Sequence, residues 1–138
     1  MVKIPVVVVD DDKTDRYIAR RVLSRHEEFD EVMEAPTGQV FLEEYFNGSG
    51  SVDLDGRTLL VLMDINMPRM NGFETIEELE RRMDEGRGPE RVAVLMFTSS
   101  NSPEDRARAE ALRSVKGYVV KPLDGEAAQT MVNAYYSH

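Results

Sequence analysis

The sequence predicts an α/β domain: a parallel sheet of five strands, with helices covering both of its faces. Three observations predict it. Short apolar runs alternate with amphipathic stretches along the chain, the pattern of repeated βα units. Three of the runs, "KIPVVVV", "TLLVLM" and "RVAVLMF", are nearly continuous in β-branched and aliphatic residues, as strands buried on both faces must be. The first run also passes without a spacer into charge, as "VVVVDDD" from Val6 to Asp12. Three adjacent carboxylates cannot follow a strand into a core without partners. The strand must therefore surface at its C-terminal end, the edge at which open α/β sheets bind their ligands.

The elements follow in order. "KIPVVVV" is the first strand, and the first helix is predicted over Lys13 to His26, burying Ile18, Ala19, Val22 and Leu23. "EVMEA" is mixed in character and suits an edge strand. The second helix should open with Thr37 as its N-cap and bury Val40, Phe41 and Tyr45. After the central strand "TLLVLM", Asn71 with Glu74 three residues on makes a capping-box start for the third helix. Its apolar face is Phe73, Ile76, Leu79 and Met83. "RVAVLMF" precedes a fourth helix starting near Pro103, where Glu104 and Asp105 favour the positive end of the dipole. "GYVV" is the fifth strand, and the fifth helix should start near Asp124 and bury Ala128, Met131, Val132 and Tyr135. "NGSGSVDLDG" and "DEGRGPE" are loops by composition.

The bulk numbers narrow the function classes. At 138 residues the chain suits one domain, and a net charge of -9 with a pI near 4.7 argues against nonspecific nucleic-acid binding, which needs clustered Lys and Arg. The absence of cysteine rules out a disulfide framework and a thiolate zinc site. No run reaches transmembrane length and the N-terminus lacks a secretory signal, so no membrane association and a cytoplasmic location are expected.

Chemistry gathers at the strand ends. The first strand ends in Asp10, Asp11 and Asp12, the third in Asp64, the fourth in Thr98 and the fifth in Lys121. Taken singly, each suits a cap, a turn or a solvated surface. In a parallel sheet all C-terminal ends lie together, so the groups should converge. Two unit charges about 4 Å apart repel by roughly 4 kcal/mol at an effective dielectric near 20. Several carboxylates there must take up protons or hold a cation, and oxygen ligands with open water positions suit Mg²⁺ best, with Mn²⁺ as a substitute. A carboxylate beside Mg²⁺, a lysine and a hydroxyl is equipped for phosphoryl transfer, with Asp64 as the nucleophile that becomes an acyl phosphate.

With "VVVVDDDKTDR", "EAPTG", "LVLMDINMPRMNGFE", "VLMFTSS" and "GYVVKPL" in that order, the chain resembles the response-regulator receiver domains of two-component signalling over essentially its whole length. The resemblance implies a doubly wound, flavodoxin-like sheet of order 2-1-3-4-5, in a single receiver domain over residues 1–138 with no output domain. It implies that Asp64 is the phosphoacceptor. The metal would be held by Asp10, Asp11, Asp64 and the backbone carbonyl of Asn66, with Asp11 a direct ligand and Asp10 acting largely through water. Thr98 would be the hydroxyl that turns toward the phosphoryl group, Lys121 the lysine that contacts it, and Ser99 the small neighbour that leaves room there. Ser100 stands where the family tunes hydrolysis. Tyr118 stands at the family's aromatic switch, and Lys121-Pro122 at a peptide bond that is characteristically cis. Asp12 has no implied role beyond capping the first helix. The implied partners are a sensor histidine kinase or phosphotransfer protein, a downstream protein and a phosphorylation-dependent homodimer, with no enzymatic activity beyond the domain's own phosphotransfer and dephosphorylation. The "FTSSNSPEDR" run also resembles single-domain regulators paired with phytochrome-type kinases.

Two other readings stand beside this one. "DDDKT" fits the Asp-x-Asp-x-Thr motif of haloacid-dehalogenase-like phosphatases, with Asp10 attacking. That reading needs a further acidic motif beyond the lysine and leaves "MDINMPRMNG" unexplained. The other is a receiver-like binding module that never takes phosphate; Asp11, Asp64, Thr98 and Lys121 argue against it. His26 and His138 have no partners in the sequence and are expected to be solvated.

Overall fold

Val6–Val9 (β1), Met33–Ala35 (β2), Leu59–Asp64 (β3), Val92–Thr98 (β4) and Val115–Val120 (β5) pair as one parallel sheet of order β2-β1-β3-β4-β5. Lys13–Ser24 (α1), Gly38–Tyr45 (α2), Gly72–Asp84 (α3), Pro103–Glu110 (α4) and Gly125–Tyr136 (α5) alternate with the strands. The structure is a computed structural model describing residues 2–48, 54–99 and 102–137.

Side-chain alternation divides the strands between two cores. Val7, Val9, Val61, Met63, Val94 and Met96 face one side, packing with Phe41, Phe73, Ile76 and Leu79 of α2 and α3. Val6, Val8, Leu60, Leu62 and Phe97 face the other, with Ala19 and Leu23 of α1 and Ala128, Met131 and Val132 of α5. Both faces are covered, which is why the central runs carry no alternation of polar and apolar residues. β2, at the edge, is the exception: Met33 is exposed and Glu34 half-buried.

Helix starts obey the capping chemistry. Asp12, Thr37, Asn71, Ser102 and Asp124 each accept a backbone N–H in the first turn of α1 to α5, and Asn71 with Glu74 completes a reciprocal capping box. Some boundaries differ from the sequence reading. α1 ends at Ser24, with Arg25 as its C-cap, two residues before His26. Ile18, Val22, Val40, Met83 and Tyr135 are half-buried; Val40 and Met83 pack against the first core, and Val22 and Tyr135 against the second. β5 begins at Val115, two residues before "GYVV", since Val115 pairs with Val94, and Lys116 is the extra residue at the register shift before Gly117 pairs with Leu95. His26 is half-buried, its ring 6.3 Å from that of Phe29 in an edge-on contact, instead of solvated. His138, Ser100 and residues 49–53 of the "NGSGSVDLDG" loop lie outside the described residues.

α4 departs most from an amphipathic helix. Of "PEDRARAE" only Ala109 is buried. Two guanidinium contacts also tie it down, Arg106 stacked 4.6 Å from the Tyr118 ring and Arg108 4.6 Å from the Phe73 ring. Such contacts stabilise by about 0.5–1 kcal/mol each at exposed sites.

The register sets the site. Val9 is level with Met63, so Asp10 and Asp64 leave the sheet side by side. Asp64 is level with Phe97 and Thr98 with Val120, so Thr98 and Lys121 follow within a residue. The loop after β3 is drawn back onto the sheet by Gly72, whose N–H donates to the Ile65 carbonyl at 2.8 Å. A Cβ at Gly72 would collide with the Asp64 carbonyl oxygen. Gly72→Ala should therefore destabilise the fold by about 1–3 kcal/mol, read as a lower urea midpoint; an unchanged midpoint would show that this contact has room to relax.

Candidate functional site

The corner between β1 and α1 is tightly tied. Asp10 is fully buried. Its backbone N–H donates to the Ala35 carbonyl at 3.1 Å, and its Oδ1 accepts the Asp12 N–H at 2.9 Å. Arg16 locks the corner from α1, donating to the Asp10 carbonyl at 2.6 Å and to Glu34 of β2 at 3.2 Å. Asp11 is thereby turned outward and exposed. Asp12 accepts the N–H groups of Thr14 and Asp15, so its role is the helix cap.

At the end of β3, Asp64 is buried, and Asn66 lies exposed in the loop that follows. Thr98 is buried at the end of β4, where its carbonyl accepts the Lys121 N–H at 2.9 Å, and Ser99 beside it is exposed. The Lys121-Pro122 peptide is cis. The Lys121 side chain runs back across the sheet edge, its Nζ 5.1 Å from the Phe97 ring centroid. Nζ reaches Asp10 Oδ2 at 2.7 Å, Asp15 Oδ2 at 3.0 Å and Asp64 Oδ1 at 3.3 Å. Asp10, Asp64, Thr98 and Lys121 are thus brought to one pole, with Asp11 at its mouth.

Asp10, Asp11 and Asp64 each offer an oxygen within 4.8 Å of the others. The contact of Lys121 with Asp10 Oδ2 is a short ion pair outside hydrogen-bond alignment, and that oxygen is buried with no hydrogen-bond donor among the described residues. An anionic oxygen in that position, beside two more carboxylates, fits a hard divalent cation.

The electrostatics are those of crowded like charges. Burial first, and the neighbouring charge of Asp10 second, push the Asp64 carboxyl up to about 7 against the opposing pull of Lys121. Burial alone would lower the Lys121 ammonium. Its contacts with Asp10 and Asp15 and the charge of Asp64 outweigh that and hold it above the usual lysine range.

Tyr118 on β5 is half-buried under the Arg106 guanidinium, and its hydroxyl is buried without a hydrogen-bond partner among the described residues. Burial raises the pKa of this phenol. The aromatic pair at the end of α5 is tied to its own chain: Tyr135 donates to the Thr58 carbonyl at 2.7 Å and Tyr136 to the Val2 carbonyl at 2.5 Å. Asp15 is the site residue that the sequence reading missed. The available signal was its place in the first turn of α1, at the pole where Lys121 also ends.

The family model for the response regulator receiver domain matches residues 6–133. The chain belongs to the response regulator receiver family. Among receiver proteins of known sequence, it is 31% identical over 121 residues to the nitrate/nitrite response regulator protein NarL of Escherichia coli, covering 88% of this chain and 49% of NarL. The chain spans about half the length of the first curated relatives it matches. Among solved receivers, a two component response regulator from Cytophaga hutchinsonii superposes with a TM-score of 0.77 at 26% identity, covering 99% of each chain. The bacteriophytochrome response regulator RtBRR superposes with a TM-score of 0.69 at 27% identity, covering 96% of this chain and 77% of that one.

As a receiver with three carboxylates around one lysine, the metal-free protein should show an unusual pH response. The folded Asp64 binds its proton up to about pH 7, whereas its unfolded counterpart releases it near the ordinary aspartate value of 3.8. Between those values the folded state binds more protons, so Asp64's contribution to stability falls as pH rises and is level above about 7. Asp64→Asn should lack that falling limb and be more stable than wild type at pH 8 by at least about 1 kcal/mol. Parallel stability-versus-pH curves for the two proteins would contradict the proposed repulsion.

Proposed function

We propose that Asp64 accepts a phosphoryl group from a histidine kinase or phosphotransfer protein in a Mg²⁺-dependent reaction, and that the domain signals through a surface change. The observation that carries this reading is the gathering of Asp10, Asp15 and Asp64 about the Lys121 ammonium beside buried Thr98. Asp64 attacks phosphorus as the carboxylate: its oxygen–phosphorus bond forms while the donor's nitrogen–phosphorus bond breaks, and the electron pair leaves on the donor imidazole. Lys121 donates to the phosphoryl oxygens as charge develops there, and the Thr98 hydroxyl adds a further hydrogen bond. A Mg²⁺ ion held by Asp10, Asp11, Asp64 and the Asn66 carbonyl would neutralise the same oxygens. Exposed Ser99 leaves space at the phosphoryl site.

The phosphatase alternative requires Asp10 to attack. Asp10 has no exposed surface, its Oδ1 is taken by the Asp12 N–H and its Oδ2 by Lys121, so it is poorly disposed to do so. The intact set Asp11, Asp64, Thr98 and Lys121 disfavours a binding module without phosphate chemistry. Similarity to RtBRR, named as a bacteriophytochrome response regulator, makes a phytochrome-type kinase the first donor to test. No helix among the described residues is long and apolar enough to cross a membrane, and we place the reaction in the cytoplasm as part of the same proposal.

For output, Thr98 can donate a charge-assisted hydrogen bond to phosphate of roughly 1.5–3 kcal/mol. That matches a typical allosteric coupling of about 1–3 kcal/mol. It suffices to shift populations of Tyr118 and α4, the weakly docked helix, and so to expose a surface for a downstream protein or a second copy.

Incubation with acetyl phosphate and Mg²⁺ should add one alkali-labile phosphoryl group, absent from Asp64→Asn; equal labelling of that variant would put the site elsewhere. Loss of outer-shell groups alone costs metal sites about 10–100-fold in affinity. Asp11→Ala removes a direct ligand and should weaken Mg²⁺ binding by more than about tenfold by calorimetric titration; unchanged affinity would remove Asp11 from the metal set. Thr98→Ala should retain much of its labelling yet lose the change in amide exchange of α4 that a beryllofluoride mimic produces in wild type. Equal α4 responses in both proteins would break the relay.

A further inference from the structure

Lys121 has three N–H donors, and three carboxylates meet it. Two of them, Asp10 and Asp64, belong to the set that can hold a cation. The third, Asp15, does not. Two of the three contacts with the ammonium have hydrogen-bond alignment, those to Asp15 at 3.0 Å and to Asp64 at 3.3 Å. The contact to Asp10 is short but unaligned. Asp15 is itself well anchored. It sits in the first turn of α1, and its N–H donates to the capping Asp12 at 3.2 Å. Its side chain is 28% exposed against 11% for Lys121, so it grips the ammonium from the rim of the pocket.

We propose that Asp15 is a positioning residue that holds the Lys121 ammonium in place over Asp64. The proposal rests on Asp64 being the phosphoacceptor. A lysine carries its charge on a flexible four-carbon stem with high rotamer entropy. When Asp10 and Asp64 engage a cation or a phosphoryl group, they weaken as partners for Lys121. Asp15 lies outside that set and remains as a fixed acceptor, so the other two N–H groups stay aimed at the reacting oxygens. Preorganised donors of this kind stabilise developing charge without reorganising during the reaction, and a misplacement of about 1 Å can cost about 100-fold in rate.

A purely electrostatic role for Asp15 makes the opposite prediction. Removing one negative charge from the mouth of an acidic pocket would ease the approach of an anionic phosphodonor, and Asp15→Asn and Asp15→Ala would then accelerate labelling alike. Positioning separates the two variants, because Asn keeps an oxygen that accepts from Lys121 and Ala keeps none.

The test uses the full chain with acetyl phosphate at saturating Mg²⁺, comparing wild type, Asp15→Asn, Asp15→Ala and Asp64→Asn. The expected result is a rate constant at saturating donor about tenfold lower in Asp15→Ala, largely restored in Asp15→Asn, with Mg²⁺ affinity unchanged in both. At saturating Mg²⁺, ¹H–¹⁵N spectra of lysine ammonium groups should show a slowly exchanging Lys121 signal in wild type and Asp15→Asn that is lost in Asp15→Ala. Wild-type labelling on Asp64 with an equal or faster rate in Asp15→Ala overturns the positioning role alone. Equal labelling of Asp64→Asn and wild type overturns the phosphoacceptor reading, and the positioning role with it.

Discussion

The ion pairing of Lys121 is the interaction on which the C-terminal pole of the sheet depends. Without the ammonium, buried Asp10 and Asp64 would face each other at the ends of adjacent strands with no ion-pair partner among the described residues. With it, one positive charge is shared among three carboxylates, and the pole remains short of positive charge. Burial and the neighbouring charge of Asp10 keep the pKa of Asp64 raised despite Lys121, and Asp10 Oδ2 has the Lys121 ion pair at 2.7 Å but no aligned hydrogen bond among the described residues. A site left in this state attracts further positive charge. The rest of the architecture serves to bring the strand ends into register, through the pairing of Val9 with Met63 and of Asp64 with Phe97.

Much of this was legible in the sequence. The continuous apolar runs of β1, β3 and β4 announced strands covered on both faces, and the caps Thr37, Asn71 and Asp124 marked helix starts that the structure shares. The strand-end residues Asp10, Asp64, Thr98 and Lys121 could be collected from topology alone, because a parallel sheet brings its C-terminal ends to one edge. The parts that were not legible depend on tertiary placement. Asp15 reads as an ordinary acidic residue in a helix's first turn, favoured there by the dipole. Only the reach of Lys121 from residue 121 back to α1 gives it a second role. His26 likewise reads as a solvated helix-end residue until Phe29 folds beneath it.

The opposite case is α4, whose sequence contains little to bury. "PEDRARAE" has a clear start at Ser102 and Pro103 but no apolar stripe, so its attachment depends on Ala109 and on guanidinium groups lying over Tyr118 and Phe73. Tyr118 is therefore an attachment point of this lightly held helix. Thr98 ends the neighbouring strand and Tyr118 lies level with Met96, two residues earlier. A change around Thr98 at the C-terminal pole thus has a short physical route to a lightly held helix.

The most direct test of this account is a ¹³Cγ titration of Asp64 in the metal-free protein, repeated with saturating Mg²⁺. The account predicts a midpoint near 7 without metal, set by burial and by Asp10, and a fall toward or below the ordinary carboxylate range when the cation is added. A midpoint near the ordinary value of 3.8 that does not move with Mg²⁺ would contradict it, because Asp64 would then share neither the crowding nor the cation on which the site is built.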